Sequence, residues 1–429
     1  MVSNKKSGKP KFCFLKKEPI RSVTFSLLGI CFVIFSLVLL VLTSVFESNQ
    51  ISLLEYFTLY FPKQTLVFFA ILLLLTGLYV LGCTIQKLIQ PLGVTDSLET
   101  AQECLDDKSF KNGAKVVAFG GGTGLATLLR GLKNYTNNIV AVVTAADDGG
   151  SSGRIRREWG LVPPGDIRSC LLALADTEPL MKSLFDYRFK AGEGLEGHNF
   201  GNLFILAMSE VTGDFETAVR EFSRVLNVRG RVMTSTLDSI GLKATYEDGS
   251  EVFGESAINK RGVKIEKVSL VPDTSSPNPA ALLAIDNADF IILGPGSLYT
   301  SILPNLLVPG IAEAIKMSKA PVLYVVNVMS EPGETTGYTA SDHLNAILEH
   351  LSIIDLVDYV LINNADFSDE TKKRYKEDGA FPVAVDLEKL DLLSVKIVLK
   401  DLASSNDFAR HDPEKLAKAI IRIMSEEVL

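Results

Sequence analysis

The chain has 429 residues, a formal net charge of −8 and 47% hydrophobic residues. That is enough for a large core, and the lack of a basic stripe beyond the N-terminal region argues against a nucleic-acid partner. Five scattered cysteines without a Cys-x-x-Cys pair, and only four histidines, exclude a disulfide framework and a His-rich zinc site.

Residues 1–22 are basic, with Lys5, Lys6, Lys9, Lys11, Lys16, Lys17 and Arg21 against Glu18 alone. Two long uncharged apolar runs follow, at about 23–46 and 65–86, each long enough to cross a hydrocarbon core of ~30 Å. The first run is too long for a signal peptide, and the second follows at once. A two-helix transmembrane hairpin over 23–86 is therefore expected. The segment between the runs has only Lys63 as a basic residue, so it should face out. The N-terminus and everything from about Lys87 onward should lie in the cytoplasm, on the inner face of the plasma membrane. Residues 87–112 read as a polar linker or juxtamembrane helix.

Residues 113–429 alternate short apolar runs with helical patterns. Strands are expected at Lys115–Phe119, Ile139–Thr144, Lys264–Leu270, Asp289–Leu293, Val322–Asn327 and Tyr359–Ile362. Helices are expected at Leu125–Lys133, Ile311–Ser318, Ser341–His350 and Pro413–Met424. This rhythm predicts an α/β fold: a Rossmann-like, doubly wound, mostly parallel sheet whose ligands bind beyond the carboxyl ends of the strands. The stretch Arg231–Asn259 breaks the rhythm. Leu242, Ala244 and Tyr246 alternate with polar residues before an Asp248-Gly249 turn, which reads as an inserted antiparallel hairpin.

The first strand ends in Gly120-Gly121-Gly122-Thr123-Gly124, directly before a helix. Such a junction lets backbone N–H groups approach a phosphate. The phosphate-loop lysine is missing, and the glycine spacing fits a dinucleotide fold poorly, so no nicotinamide cofactor is expected. The second strand runs into Asp147-Asp148-Gly149-Gly150. Two carboxylates there suit a ribose or a Mg²⁺ bridging phosphates, or simply a solvated turn. Asp166 opens a helix, where a cap explains it, and Arg168 pairs with Asp166 or reaches a phosphate. His198, Asn199 and Asn202 precede an apolar helix as ligand groups or caps. A second glycine loop holds Gly294, Gly296, Ser297 and Tyr299, which suit a phosphate and a flat ring. Asn327 and Glu331 follow a further strand end.

In this order, Gly120–Gly124, Thr144–Gly153, Pro164–Arg168, His198–Asn202, Gly294–Ser301 and Asn327–Thr335 resemble the bacterial gluconeogenesis-factor family, related to the 2-phospho-L-lactate transferases. The resemblance covers about residues 114–425. It implies a UDP-sugar ligand such as UDP-N-acetylglucosamine, contacted by Tyr299. It also implies a role in cell shape and peptidoglycan synthesis during gluconeogenic growth, without established catalysis. The transferase branch implies an alternative, metal-dependent phosphate-ester transfer with Mg²⁺ at Asp147. The membrane hairpin departs from common family members and would hold the domain near cell-wall synthesis proteins. Homo-oligomerisation stays open.

Overall fold

The structure is a computed structural model that describes residues 71–72, 75–76, 113–176, 179–404 and 410–427. The chain divides into two compact units, Met1–Ser97 and Leu98–Leu429. In the first, Ile71, Leu72, Leu75 and Thr76 are helical and exposed, with the Thr76 hydroxyl donating to Leu72 O at 3.0 Å. The rest of the two expected spans, the basic N-terminus and the whole linker lie outside the described residues. No single helix among the described residues is long and apolar enough to cross a membrane.

The second unit is built from β1 (Val116–Gly120), β2 (Ile139–Val143), β3 (Arg231–Thr234), β4 (Gly241–Tyr246), β5 (Glu251–Phe253), β6 (Ile265–Val271), β7 (Phe290–Leu293), β8 (Val322–Val325), β9 (Tyr359–Asn363) and β10 (Lys396–Lys400). Seven of these form one sheet in the order β10-β9-β8-β7-β1-β2-β3, parallel throughout. Every residue of β1, β7 and β8 is buried. Successive side chains point to opposite faces, so full burial requires cover on both faces, and these strands accordingly read as unbroken apolar runs. The chain winds from β1 outward to β2 and β3. It later returns beside β1 with β7 and winds the other way to β10. The fold is therefore doubly wound, with its switch point between β1 and β7.

The inserted element is larger than a hairpin. It is a three-stranded antiparallel sheet, β5-β4-β6. The run at Lys264–Leu270, expected among the parallel strands, is its third strand. Glu266 and Lys267 are exposed there while Ile265, Val268 and Leu270 are buried, a one-sided pattern that an internal parallel strand could not carry. Conversely, Arg231–Thr234, expected within the hairpin stretch, is the edge strand of the main sheet, in register with Val140–Val143.

Candidate functional site

Loops leaving β8, β7, β1 and β2, neighbours in the sheet, carry most of the expected ligand residues. The helix Gly122–Leu132 has neither a side-chain cap at Gly121 nor an acidic residue in its first turn. Its leading N–H groups and its dipole favour an anion. Gly122 has φ +54°, which a side chain would strain by ~1–2 kcal/mol. Asp166, in the first turn of the helix Pro164–Leu174, accepts a hydrogen bond from Gly122 N–H. Its carboxylate crowds the loop: a Cβ at Gly121 would lie 2.5 Å from Oδ2. Burial, then the charge of Asp147, push the Asp166 carboxyl up to about 7.

The two glycine loops touch. A Cβ at Gly124 would stand 2.5 Å from Pro295 O and 2.9 Å from Gly296 Cα. The fully buried Asn305 ties them together, its Nδ2 donating to Gly120 O at 2.9 Å and to Ser301 O at 2.8 Å. Asn327 clamps the Gly296 peptide, accepting its N–H at 3.3 Å and donating to its carbonyl at 3.0 Å. The chain then makes a π-helical turn, Leu298–Ile302. Buried Glu334 holds that turn, accepting from Tyr299 N at 3.1 Å and from the Thr300 hydroxyl at 2.8 Å. Burial, then the charge of Glu331, push Glu334 up to about 8.

A cavity of about 470 Å³ opens at this switch point. Gly121–Gly124, Gly296 and Ser297 form one wall, with Asn327 and Glu331 beside them. Another wall includes Val328, Met329 and Ala380, which cluster with Tyr375. Asp378, Arg410 and His411 also line it. Of the lining, Tyr375, Asp378, Arg410 and His411 had drawn no attention as ligand groups in the sequence. They follow no glycine loop, and Arg410 and His411 lie far along the chain.

The remaining expected residues stand outside this lining. Asp147 Oδ1 accepts Gly149 N at 2.8 Å, and the Ser152 hydroxyl donates to the same carboxylate. Asp148 accepts Ser256 N at 2.9 Å. Burial, then Asp147, Asp148 and Asp166, push Glu255 up to about 7. Among the described residues no group of three or more His, Cys, Asp or Glu side chains could hold a metal ion. The Asp147 carboxylate is engaged in its own turn, by the Gly149 N–H and the Ser152 hydroxyl. Asn199 caps the helix Phe200–Thr212, accepting from Asn202 N at 3.1 Å. Ser151 Oγ meets His198 Nδ1 at 3.1 Å, and Asn202 Nδ2 donates to Ser152 Oγ at 3.3 Å, so these three residues brace the Asp147 loop. Arg168 reaches neither Asp166 nor a loop N-terminus with a hydrogen bond; it donates to Phe185 O and to Asp186 Oδ1, both at 3.4 Å. Gly294, at φ +82°, shapes the turn from behind, where a Cβ would meet Val325 O at 3.1 Å. Tyr299 is 2% exposed, its hydroxyl 2.7 Å from that of Tyr338 and its ring edge-on to His350. Its ring packs inside the fold.

A family profile described as 2-phospho-L-lactate transferase CofD matches residues 116–403. The gluconeogenesis factor of Bacillus subtilis is 48% identical over 313 residues, 73% of this chain and 98% of the relative. The chain belongs to the gluconeogenesis-factor family. A second member, from Halalkalibacterium halodurans, is 50% identical over 307 residues, 71% of this chain and 95% of its own length. A crystal structure from Bacillus halodurans superposes with a TM-score of 0.70 at 49% identity, covering 72% of this chain and 99% of that one. The family relationship thus rests on the α/β unit, which carries both glycine loops.

Proposed function

We propose that this gluconeogenesis-factor relative binds a UDP-sugar, such as UDP-N-acetylglucosamine, in the switch-point cavity and acts as a regulator of cell shape and peptidoglycan synthesis. The observation that carries the reading is the make-up of the cavity. A glycine-rich helix start, whose first N–H alone is taken by Asp166, forms one wall, and an apolar cluster with Tyr375 forms another. The first suits a diphosphate and the second a flat base, within a volume typical of small-ligand sites. Arg410 adds a guanidinium that can grip a phosphate or a sugar hydroxyl. The chain's own groups would bind and orient the ligand. The Thr123 and Gly124 N–H groups receive phosphate oxygens, Asn327 keeps the Gly296 peptide in place, and Glu334 keeps the π-turn from opening.

The two apolar runs would hold this unit at the inner face of the plasma membrane, within reach of cell-wall synthesis proteins. Protease added outside intact cells should then spare residues from about Lys87 onward, and digestion of that part would overturn the placement. A second reading, phosphate-ester transfer, is favoured by the description of the matching family. Titration of the full-length protein with UDP-N-acetylglucosamine tests the first, and product analysis after adding a hydroxyl-bearing acceptor, with and without Mg²⁺, tests the second. The ligand recovered intact supports the regulator; a transferred product supports the enzyme.

A further inference from the structure

The turn Glu331–Thr335 carries two carboxylates that nucleotide binding leaves unexplained. Glu331 lines the cavity. It accepts Asn327 Nδ2–H at 3.2 Å and the Ser297 hydroxyl. Glu334 lies behind it, only 2% exposed, with its oxygens taken by Thr300 and by the Tyr299 N–H. All these donors are neutral. The Asn327 amide that reaches Glu331 also holds the Gly296 carbonyl at 3.0 Å, so Glu331 stands one side chain from the peptide against which a diphosphate would lie. An ionised carboxylate at that distance repels a diphosphate. A protonated one can donate a hydrogen bond to it.

We propose that filling the cavity with a nucleoside diphosphate is coupled to proton uptake by Glu331, which changes from a repelling anion into a donor facing the ligand. The inference rests on the cavity being the diphosphate site proposed above.

Burial already pushes the Glu331 carboxyl above its ordinary value, and the charge of a ligand would push it further in the same direction. Several other groups face it. Glu334 is pushed up to about 8. The Tyr324 phenol, raised by burial and by Glu331, stays neutral. Tyr375, Asp378 and Arg410 line the same cavity. His411 is pushed down to about 4 by burial and is uncharged near neutral pH. Asp166, pushed up to about 7 at the other glycine loop, and Glu334 are rival sources of the same proton uptake.

The test is calorimetry on the full-length protein with UDP-N-acetylglucosamine, a doubly esterified diphosphate without a titrating group near neutral pH. Measurements run from about pH 5 to 8.5 in buffers of different ionisation heat, which counts protons directly. Wild type should take up as much as one proton. Its Kd should weaken by up to about tenfold per pH unit across the titration. Glu331→Gln should bind with no uptake and a nearly flat pH profile, and with tighter binding than wild type at the alkaline end. Wild type that binds without proton uptake overturns the coupling and leaves the ligand site intact. Uptake that survives in Glu331→Gln also overturns it and moves the proton to another raised carboxyl, Glu334 or Asp166. Wild type that binds no UDP-sugar overturns the cavity assignment itself, and this inference with it. Because the proton count is read on wild type, a poorly folding variant does not remove the test.

Discussion

Gly124→Ala probes the contact on which the cavity depends. The added Cβ would stand 2.5 Å from Pro295 O, 2.8 Å from its carbonyl carbon and 2.9 Å from Gly296 Cα. All three are backbone atoms of the facing loop, so no rotamer change relieves the clash. Comfortable carbon contacts lie at about 3.5–4.0 Å, so the two loops must part by about 1 Å. Overpacking of this kind costs about 1–3 kcal/mol. At about 2–4 °C per kcal/mol, it should lower the melting temperature by several degrees. The same movement draws the helix start away from the second loop. Losing one charge-assisted hydrogen bond to the ligand, worth about 1.5–3 kcal/mol, should weaken Kd roughly ten- to 150-fold. Gly122→Ala is the contrast. Its Cβ would meet only Asp166 Oδ1, at an ordinary 3.6 Å, so its cost is the strain of φ +54°, and the loops stay together. Thermal melting and calorimetry with UDP-N-acetylglucosamine on both full-length variants separate the effects. A folded Gly124→Ala protein with wild-type affinity would refute the claim that the paired loops cradle the ligand.

Tyr299→Phe removes the 2.7 Å bond to Tyr338 and should cost about 0.5–1.5 kcal/mol of stability while leaving UDP-sugar affinity unchanged; denaturant unfolding and calorimetry read the two, and lost affinity at full stability would return Tyr299 to the ligand. Arg410→Ala should weaken Kd by about ten- to 150-fold, read by calorimetry on a variant whose folding is checked by thermal melting. Stability should fall as pH rises from about 6.5 to 8.5. Asp166 and Glu255, at about 7, and Glu334, at about 8, all sit above their unfolded values, so the folded chain binds more protons across that window. The buried histidines, shifted down, are neutral in the folded chain but about half protonated when unfolded at pH 6.5, so they offset a smaller part of this loss at the acid end of the window. At about 1.4 kcal/mol per pKa unit the loss amounts to a few kcal/mol. Urea unfolding at the two ends of the window checks this, and a flat or rising stability would contradict it.

The central strands were legible because each is buried on both faces and therefore apolar without interruption, as in Val116–Gly120. The glycine loops were legible because close backbone approach leaves a compositional mark, and Gly124 and Gly122 bear it for two different reasons, contact and positive φ. Arg231–Thr234 was obscured because a short edge strand opening on Arg adjoins the alternating pattern of β4. Lys396–Lys400 was obscured by lysines at both ends. In the site, residue type identified the loops but not where their side chains turn. Asn199 caps a helix, Arg168 turns to Asp186, and Tyr299 turns into the core against Tyr338. The wall formed by Tyr375 and Arg410 comes from distant segments without a periodic or glycine signal, and only the folded topology brings them to the switch point. Asn305 and Glu334 escaped notice for a related reason: each acts on backbone groups of another loop.

The central claim is that the switch-point cavity holds a UDP-sugar. Calorimetric titration of the full-length protein and of Arg410→Ala with UDP-N-acetylglucosamine tests it most directly. The account predicts saturable binding to wild type, a Kd at least about tenfold weaker in a normally folded Arg410→Ala variant, and ligand recovered unchanged afterwards. Binding of equal strength in both proteins, or no binding by either, would contradict it.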